Sequence, residues 1–274
     1  MTEPRVRQVT EAEVAAFREH GWVLLRDFVR PTQLAALAAE IRRLMGTNAQ
    51  RHKDGRGWLS SIWRTYDEPG HESERLWEFA TSAEVGRIGA RFLRDRPVRF
   101  LRDEVYVKMP TEEGGGQPTP WHQDFAYANR DRSEQLNFWI ALADIPANGG
   151  GMRYLSGSHR AGLLGRSFDG EADDTVTRHP ELVDEYPVSP QVALRAGDAY
   201  AHHAMSVHGA WANTSDAIRW SYTVVLFDAD ARYTGVPWAA RLAEKMKTIK
   251  INDTFEHPLT PIVWPTGNCG QNEI

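Results

Sequence analysis

The longest stretch rich in aromatic and β-branched residues spans positions 218–227 and has the sequence IRWSYTVVLF. Residues of these types favour the pleated and partly buried surface of a sheet, so the stretch predicts a β-strand. Shorter stretches of the same kind precede it, separated by clusters of glycine, proline, asparagine and aspartate that are typical of turns. These predicted strands cover residues 98–101, 105–109, 120–125, 136–143, 191–194, 199–202 and 207–211. The chain beyond position 97 is therefore predicted to be mainly β-structure.

The number and spacing of these strands indicate two sheets closed around one core. The pattern predicts a mainly β protein with flanking helices and a double-stranded β-helix, or cupin-like jelly roll, at its centre. Two helices are predicted before residue 47, on either side of a short strand at 22–25. An acidic insertion near 160–190 is predicted to form a lid. Because no linker is visible, we expect one domain over residues 1–274.

Composition narrows the range of partners. The 274 residues include 32 lysines and arginines against 37 aspartates and glutamates, a net charge of −5, so no basic field attracts nucleic acid. No run approaches the roughly 18 apolar residues of a membrane span. The single cysteine, Cys269, cannot form an internal disulfide, and the first residues lack the apolar core of a signal peptide. We therefore expect a cytoplasmic protein with no nucleic-acid or membrane partner; the oligomeric state is left open.

A His-X-Asp motif at residues 122–124 lies on one of the predicted strands. Alternate side chains of a strand share a face, so His122 and Asp124 are predicted to project together while Gln123 points away. One imidazole and one carboxylate suit a divalent transition metal, and a second imidazole would complete the facial triad of non-haem Fe(II) oxygenases. The motif alone also fits an aspartate that orients a structural histidine.

The third ligand must come from a distant strand. His208 is the preferred candidate, because it lies on a predicted strand and Arg219 follows eleven residues later. His202 and His203, on the preceding strand, remain alternatives. An arginine buried in an aromatic and β-branched strand needs an acidic partner, and a guanidinium binds a carboxylate through two parallel hydrogen bonds. Arg219 therefore predicts a site for an anionic ligand, and Ser221, on the same face, is the candidate for a further hydrogen bond.

Together these motifs resemble the phytanoyl-CoA dioxygenase family of Fe(II)- and 2-oxoglutarate-dependent oxygenases. The resemblance includes HGWVLL at residues 20–25, WHQD at 121–124, WIAL at 139–142 and the interval from His208 to Arg219. It covers most of the chain except the insertion near 160–190 and the C-terminal tail.

The resemblance implies the cofactors Fe(II), 2-oxoglutarate and O2, and it implies which residues bind them. The implied metal ligands are His122, Asp124 and His208. Arg219 would bind the far carboxylate of 2-oxoglutarate and Trp139 would line its pocket; Ser221 and Gln123 complete the predicted cofactor-binding group. The family often has a hydroxyl residue two positions after the distal histidine, where this chain has Ala210. The hydrogen bonds around the cosubstrate must therefore differ here.

The expected activity is hydroxylation of an unactivated carbon of a small molecule, for example a natural-product intermediate, with release of succinate and CO2. A redox-neutral cupin-like isomerase or epimerase would use the triad without Arg219, and a noncatalytic jelly-roll binding module would need neither metal nor cosubstrate. The predicted substrate contacts are Phe125, Tyr127, Tyr106, His203, Trp211 and Trp238. Their aromatic or soft character indicates an apolar or aromatic substrate.

Overall fold

The fold is described from a computed structural model, which defines residues 4–46, 62–113, 116–167, 174–238 and 243–266. Its helices are α1 Glu11–His20, α2 Pro31–Met45, α3 Glu74–Ala80, α4 Ala83–Phe92, α5 Thr175–Arg178 and α6 Leu182–Glu185. Its strands are β1 Trp22–Leu25, β2 Arg64–Asp67, β3 Val98–Lys108, β4 Thr119–His122, β5 Gln135–Ala141, β6 Met152–Tyr154, β7 Ala199–His203, β8 His208–Ala210, β9 Arg219–Asp228 and β10 Ile262–Trp264. Between these elements, short 3₁₀ turns lie at Pro69–His71, Thr111–Glu113, Asp124–Tyr127 and Ser158–Arg160.

The strands form two antiparallel sheets. The larger sheet has the order β1-β7-β5-β9-β3-β10, with β2 also paired to β3, and the smaller sheet has the order β4-β8-β6. This arrangement confirms the predicted mainly β, cupin-like jelly roll with flanking helices.

The outer face of the larger sheet is apolar and packs against the helices. Phe138 of β5 lies opposite Val224 of β9, and both are fully buried. The helices α1 to α4 cover this face with Phe17, Ile41, Phe79 and Ile88, which belong to the same hydrophobic cluster. Burying each such side chain contributes about 1.5–3 kcal/mol to folding. The helical layer therefore covers only the outer face of the larger sheet.

The inner face of the larger sheet carries polar side chains and faces the smaller sheet. Because side chains alternate along a strand, Asn137 and Trp139 point inward while Phe138 between them points outward. Their antiparallel neighbours, His202 of β7 opposite Asn137 and Thr223 of β9 opposite Trp139, share the inner face. The polar side of the sheet is thus available for a functional site.

The structure differs from the sequence prediction in the short elements. The predicted strands 98–101 and 105–109 are one strand, β3, with an irregularity between Phe100 and Arg102. The predicted strand 191–194 forms only an isolated bridge between Ile145 and Leu194. Strands β2, β6 and β10 were not predicted.

The predicted lid near 160–190 includes residues 168–173, which lie outside the described residues, so the lid remains a prediction. The chain before them is attached to the motif strand: Gln123 donates to the Gly162 carbonyl and accepts a hydrogen bond from the Leu164 amide, each 2.9 Å long. In the described parts of the chain, no helix is long and apolar enough to cross a membrane.

Candidate metal centre and its cavities

Three residues of the smaller sheet and its adjoining turn converge at the inner face of the larger sheet. His122 ends β4 and lies opposite His208, the first residue of β8, with ring centroids 4.2 Å apart. Strand β4 ends before Asp124, so the predicted strand 120–125 was wrong at its end. Gln123 nevertheless keeps an extended backbone (φ −111°, ψ 131°), which preserves the alternation and places Asp124 beside His122. Donor atoms of His122, Asp124 and His208 lie within 4.8 Å of one another.

Backbone carbonyls fix the tautomer of both histidines. His122 Nδ1 is 2.9 Å from the Pro120 carbonyl oxygen, and His208 Nδ1 is 3.0 Å from the Ser206 carbonyl oxygen. Because a carbonyl oxygen only accepts, each Nδ1 carries the proton and each Nε2 keeps a lone pair. These two Nε2 atoms lie 3.6 and 3.8 Å from Asp124 Oδ1. Such a set of two imidazoles and one carboxylate suits Fe(II).

Asn137 separates the third nearby histidine, His202, from this group. The Asn137 amide nitrogen donates to Asp124 Oδ2 and lies 2.9 Å from His202 Nε2. Since its carbonyl oxygen accepts from Gln135, the amide nitrogen is the donor towards both groups. The His202 Nε2 lone pair is therefore occupied, and its Nδ1 is hydrogen-bonded to the Tyr154 hydroxyl at 3.2 Å. This geometry favours His208 over His202 as the third ligand.

Burial and neighbouring imidazoles set the protonation of the centre. Burial alone would raise the pKa of Asp124, but the surrounding imidazoles, above all His208, outweigh it and hold that pKa well below its ordinary value. Burial lowers the pKa of His208 well below its ordinary value, and nearby His122 adds to the effect. An ionised carboxylate beside a neutral imidazole is the state that binds a divalent cation.

Arg219 lies in a small inner cavity beside the three candidate ligands. The cavity is lined by His122, Asp124, His208, Trp139, Ala210, Thr223 and Arg219 among others. One Arg219 nitrogen donates to the Gly150 carbonyl at 2.7 Å, and the guanidinium lies over the Trp139 ring at 5.2 Å. Its buried Nε has no hydrogen-bond partner in the described part of the chain. Burial lowers the pKa of Arg219 to about 9, so the side chain stays charged at neutral pH and is suited to an anion.

The sequence matches a known protein family over most of its length. The phytanoyl-CoA dioxygenase (PhyH) family matches residues 17–221, about three quarters of the chain. This chain belongs to that family. The phytanoyl-CoA dioxygenase of Arabidopsis thaliana is 28% identical over 171 residues, which cover 62% of this chain and 57% of that protein. The chain spans just over half the length of this relative and of a Danio rerio relative, of which 55% is covered.

Solved structures of other enzymes share the fold over nearly the whole chain. The non-heme alpha ketoglutarate dependent epimerase SnoN from nogalamycin biosynthesis has a TM-score of 0.74 and 25% identity, covering 92% of this chain and 98% of SnoN. The carbocyclase SnoK from the same biosynthesis has a TM-score of 0.74 and 26% identity, with coverages of 93% and 96%. SnoN has also been solved with Fe3+, alpha ketoglutarate and nogalamycin RO. Members of this structural group therefore differ in their reactions while sharing the keto acid.

A second, larger cavity adjoins the candidate metal centre of this PhyH-family chain and is called the outer cavity below. Its volume is about 690 Å³, and it shares His122 and Asp124 with the inner cavity. Of the predicted substrate contacts, Tyr106, Tyr127 and Trp238 line this cavity. Their role as substrate contacts remains a prediction.

Three predicted substrate contacts lie elsewhere. Neither cavity lining includes Phe125, His203 or Trp211. His203 lies on the outer face of β7, next to Phe17 and His159, because it alternates with the inward-facing His202. The Trp211 ring packs on the guanidinium of Arg153. The role of all three residues as substrate contacts stays a prediction.

Two predicted cosubstrate contacts also make other hydrogen bonds. Gln123 is fully buried on the opposite side of β4, where it holds residues 162–164. Ser221 donates to the Tyr106 carbonyl at 2.8 Å. The next residue on its face, Thr223, lines the inner cavity with a buried hydroxyl that has no partner among the described residues. Thr223 was not predicted, although its position four residues after Arg219 on one strand face was a usable signal.

Proposed function

We propose that this chain is an Fe(II)- and 2-oxoglutarate-dependent oxygenase that hydroxylates an unactivated carbon of a small molecule and releases succinate and CO2. One observation supports this proposal most directly. Two imidazoles and one carboxylate lie in the same cavity as a buried guanidinium whose Nε has no acceptor among the described residues. A redox-neutral isomerase would not require that guanidinium. A noncatalytic binding module would require neither the guanidinium nor the three candidate metal ligands.

The residues of the centre have distinct roles in this proposal. His122, Asp124 and His208 would hold the iron, and Arg219 would pair with the far carboxylate of 2-oxoglutarate. Bound together, iron and the keto acid supply the oxidising power for dioxygen-dependent attack on a C–H bond. Trp139 restricts the guanidinium from one side, which reduces the entropy lost when the carboxylate binds. The Thr223 hydroxyl would give a further hydrogen bond to the cosubstrate. It lines the same cavity as Ala210, which lacks the hydroxyl that the family often has at that position.

Hydroxylation is proposed over the reactions of the two solved relatives because it needs only the positioning of one C–H bond near the metal. Ring closure and epimerisation would each also require the reacting carbon to be held near a second group, within the substrate or in the protein. The product distinguishes the three: a hydroxylated product gains one oxygen atom, an epimer keeps the molecular formula, and a cyclised product loses a pair of hydrogens.

The cofactor assignment is tested by spectroscopy without oxygen. Purified protein is titrated with Fe(II) and 2-oxoglutarate under anaerobic conditions, and we expect a weak visible charge-transfer band that appears only when both are present. A metal-loaded sample that gives no band would show that the proposal is wrong. The substrate is then sought by screening small molecules for oxygen-dependent release of succinate, followed by mass analysis of the product.

A further inference from the structure

We propose that Arg130 binds an acidic group of the substrate, so that the substrates are small organic acids with an apolar or aromatic body. Arg130 lines the larger outer cavity and only 6% of its surface is exposed. This inference rests on the proposed function, because it assigns the outer cavity to the substrate.

Among the residues that the structure describes, none is an acidic partner of the Arg130 guanidinium. Its Nε is buried without a hydrogen-bond acceptor, and no ion pair joins it to an acid within the described residues. Its recorded contact is with the face of the Phe227 ring, at 5.4 Å. Burying a guanidinium without an acceptor costs several kcal/mol, and a ring face offsets only part of that cost. A buried cation of this kind is therefore suited to an anion that enters from the cavity.

Four acids also line the outer cavity, namely Asp67, Glu68, Glu104 and Asp124, and none of them forms an ion pair with Arg130 among the described residues. Arg102, also in the lining, is paired with Glu104 at 3.1 Å, so this acid is already engaged. Asp124 attracts the guanidinium of Arg130, but its charge would be shared with the metal. Burial and the repulsion from Arg102 lower the pKa of Arg130 to about 9, which leaves it protonated at neutral pH. With a metal bound, Asp124 would stabilise the charge of Arg130 less, so an acidic group of the substrate would stabilise it more.

The site of Arg130 is separate from that of the cosubstrate. Arg219 lines only the inner of the two cavities and Arg130 only the outer one, although the cavities adjoin and share Trp63, Arg102, Glu104, Tyr106, His122 and Asp124. Each cavity therefore has a buried arginine of its own that can bind an anion. Around Arg130, the outer cavity is walled by Tyr127 and Trp238 among others, which suits an apolar body attached to the acid.

The test compares matched carboxylic acids and primary amides as probes, for example 3-phenylpropanoate and 3-phenylpropanamide with their longer homologues. Binding to protein saturated with 2-oxoglutarate is measured by calorimetry without oxygen, both with Fe(II) and without it. We expect the acids to bind more tightly than the amides. Arg130→Gln should weaken acid binding about 30-fold or more and leave amide binding unchanged, because it removes a buried charge partner. Arg130→Lys should fall between, since an ammonium keeps the charge without the two parallel donors.

Arg132→Gln is the matched control, because Arg132 lies on the same segment but pairs with Asp131 and Asp228. This control should bind the acids as tightly as the wild type does. Arg132→Gln and Arg130→Lys should keep the melting temperature of the wild type. Arg130→Gln should keep at least the charge-transfer band that Fe(II) and 2-oxoglutarate give together. Equal binding of acids and amides, no binding of any acid at millimolar concentration, or unchanged acid binding by Arg130→Gln would overturn the proposal. Loss of the band in Arg130→Gln with the band kept in Arg130→Lys would instead place Arg130 at the cosubstrate and also overturn it. Absence of the band in the wild type would contradict the proposed function alone, since calorimetry without iron still reports the acid preference.

Discussion

Asn137 connects the candidate metal ligand Asp124 to His202, the nearby histidine outside the candidate ligand set. Its amide nitrogen donates to the Asp124 carboxylate and to His202 Nε2, and its carbonyl oxygen accepts from Gln135. Groups that hydrogen-bond to a ligand fix its orientation, and their loss typically lowers metal affinity about 10- to 100-fold. Asn137 also occupies the Nε2 lone pair of His202.

We expect Asn137→Ala to lower Fe(II) affinity about 10- to 100-fold, because Asp124 loses a donor and the His202 lone pair becomes available as a competing ligand. Metal titration followed by calorimetry measures this. Asn148→Ala is the control, since Asn148 hydrogen-bonds only the Thr214 region at the surface. Wild-type iron affinity in Asn137→Ala would show that the connection has no influence on the metal.

The separate roles of the ligands and of Arg219 predict different losses. Asp124→Ala and His208→Ala should abolish iron binding, whereas Arg219→Ala should weaken 2-oxoglutarate about 30-fold or more and spare iron, because it removes a buried charge partner. Equilibrium dialysis of metal and cosubstrate measures both quantities, with exposed Arg195 changed to alanine as control. Unchanged 2-oxoglutarate affinity in Arg219→Ala would remove this residue from the site.

At the scale of elements, the distance between β4 and β8 determines how His122 and His208 meet. Gly209 is the middle residue of β8, and a Cβ there would stand 2.5 Å from the Thr119 carbonyl oxygen of β4 and 3.1 Å from that of Pro120. Both oxygens belong to the backbone, so only a shift of one strand could relieve the contact. The absence of a side chain at this position allows the two ligand strands to approach.

Gly209→Ala should therefore separate the ligand strands, reduce the free energy of unfolding by about 1–3 kcal/mol and weaken iron binding. Urea unfolding and metal titration measure the two effects. Gly151→Ala is a matched control, because a Cβ there meets nothing within 4 Å. If Gly209→Ala binds iron as tightly as Gly151→Ala does, the close approach of β4 and β8 is not needed for the centre.

At the scale of the whole molecule, a buried carboxyl couples stability to pH. Asp103 of β3 lies on the outer side of the larger sheet, where it accepts hydrogen bonds from the Tyr222 hydroxyl at 2.7 Å and the Gly70 amide at 2.9 Å. Burial raises the pKa of Asp103 to about 7, against the opposing effect of those hydrogen bonds, and Glu68 and Glu104 add to the rise. The protonated form is therefore preferred in the folded protein more than in the unfolded chain.

Because the folded pKa is raised, the contribution of Asp103 to stability is full below about pH 4 and is lost as pH rises towards 7. Relative to Asp103→Asn, the wild type should lose up to about 4 kcal/mol of unfolding free energy over that interval. Urea unfolding of both proteins between pH 4 and pH 8 measures the difference, which cancels the titration of all other groups. Parallel pH profiles would show that Asp103 is ionised in the folded protein at neutral pH.

The sequence by itself determined the class of fold and the identity of the main candidate site residues. Long strands such as β5 and β9 were predicted because the alternation and residue types of seven or more residues are local properties. The pair His122 and Asp124 was predicted because the spacing of two along an extended chain fixes a shared face. His208 and Arg219 came from spacing together with a family resemblance, which the match over residues 17–221 confirms as a family relationship.

Only the tertiary structure decided which side chains share a cavity. The choice between His202 and His208 depends on Asn137, which reaches His202 through the pairing of β5 with β7. The inward position of Thr223, the outward position of His203 and the isolation of Arg130 likewise depend on strand pairing between distant segments. A sequence fixes backbone preference and the alternation of each segment, but hydrogen-bond partners and burial arise only when segments far apart in the chain are brought into contact.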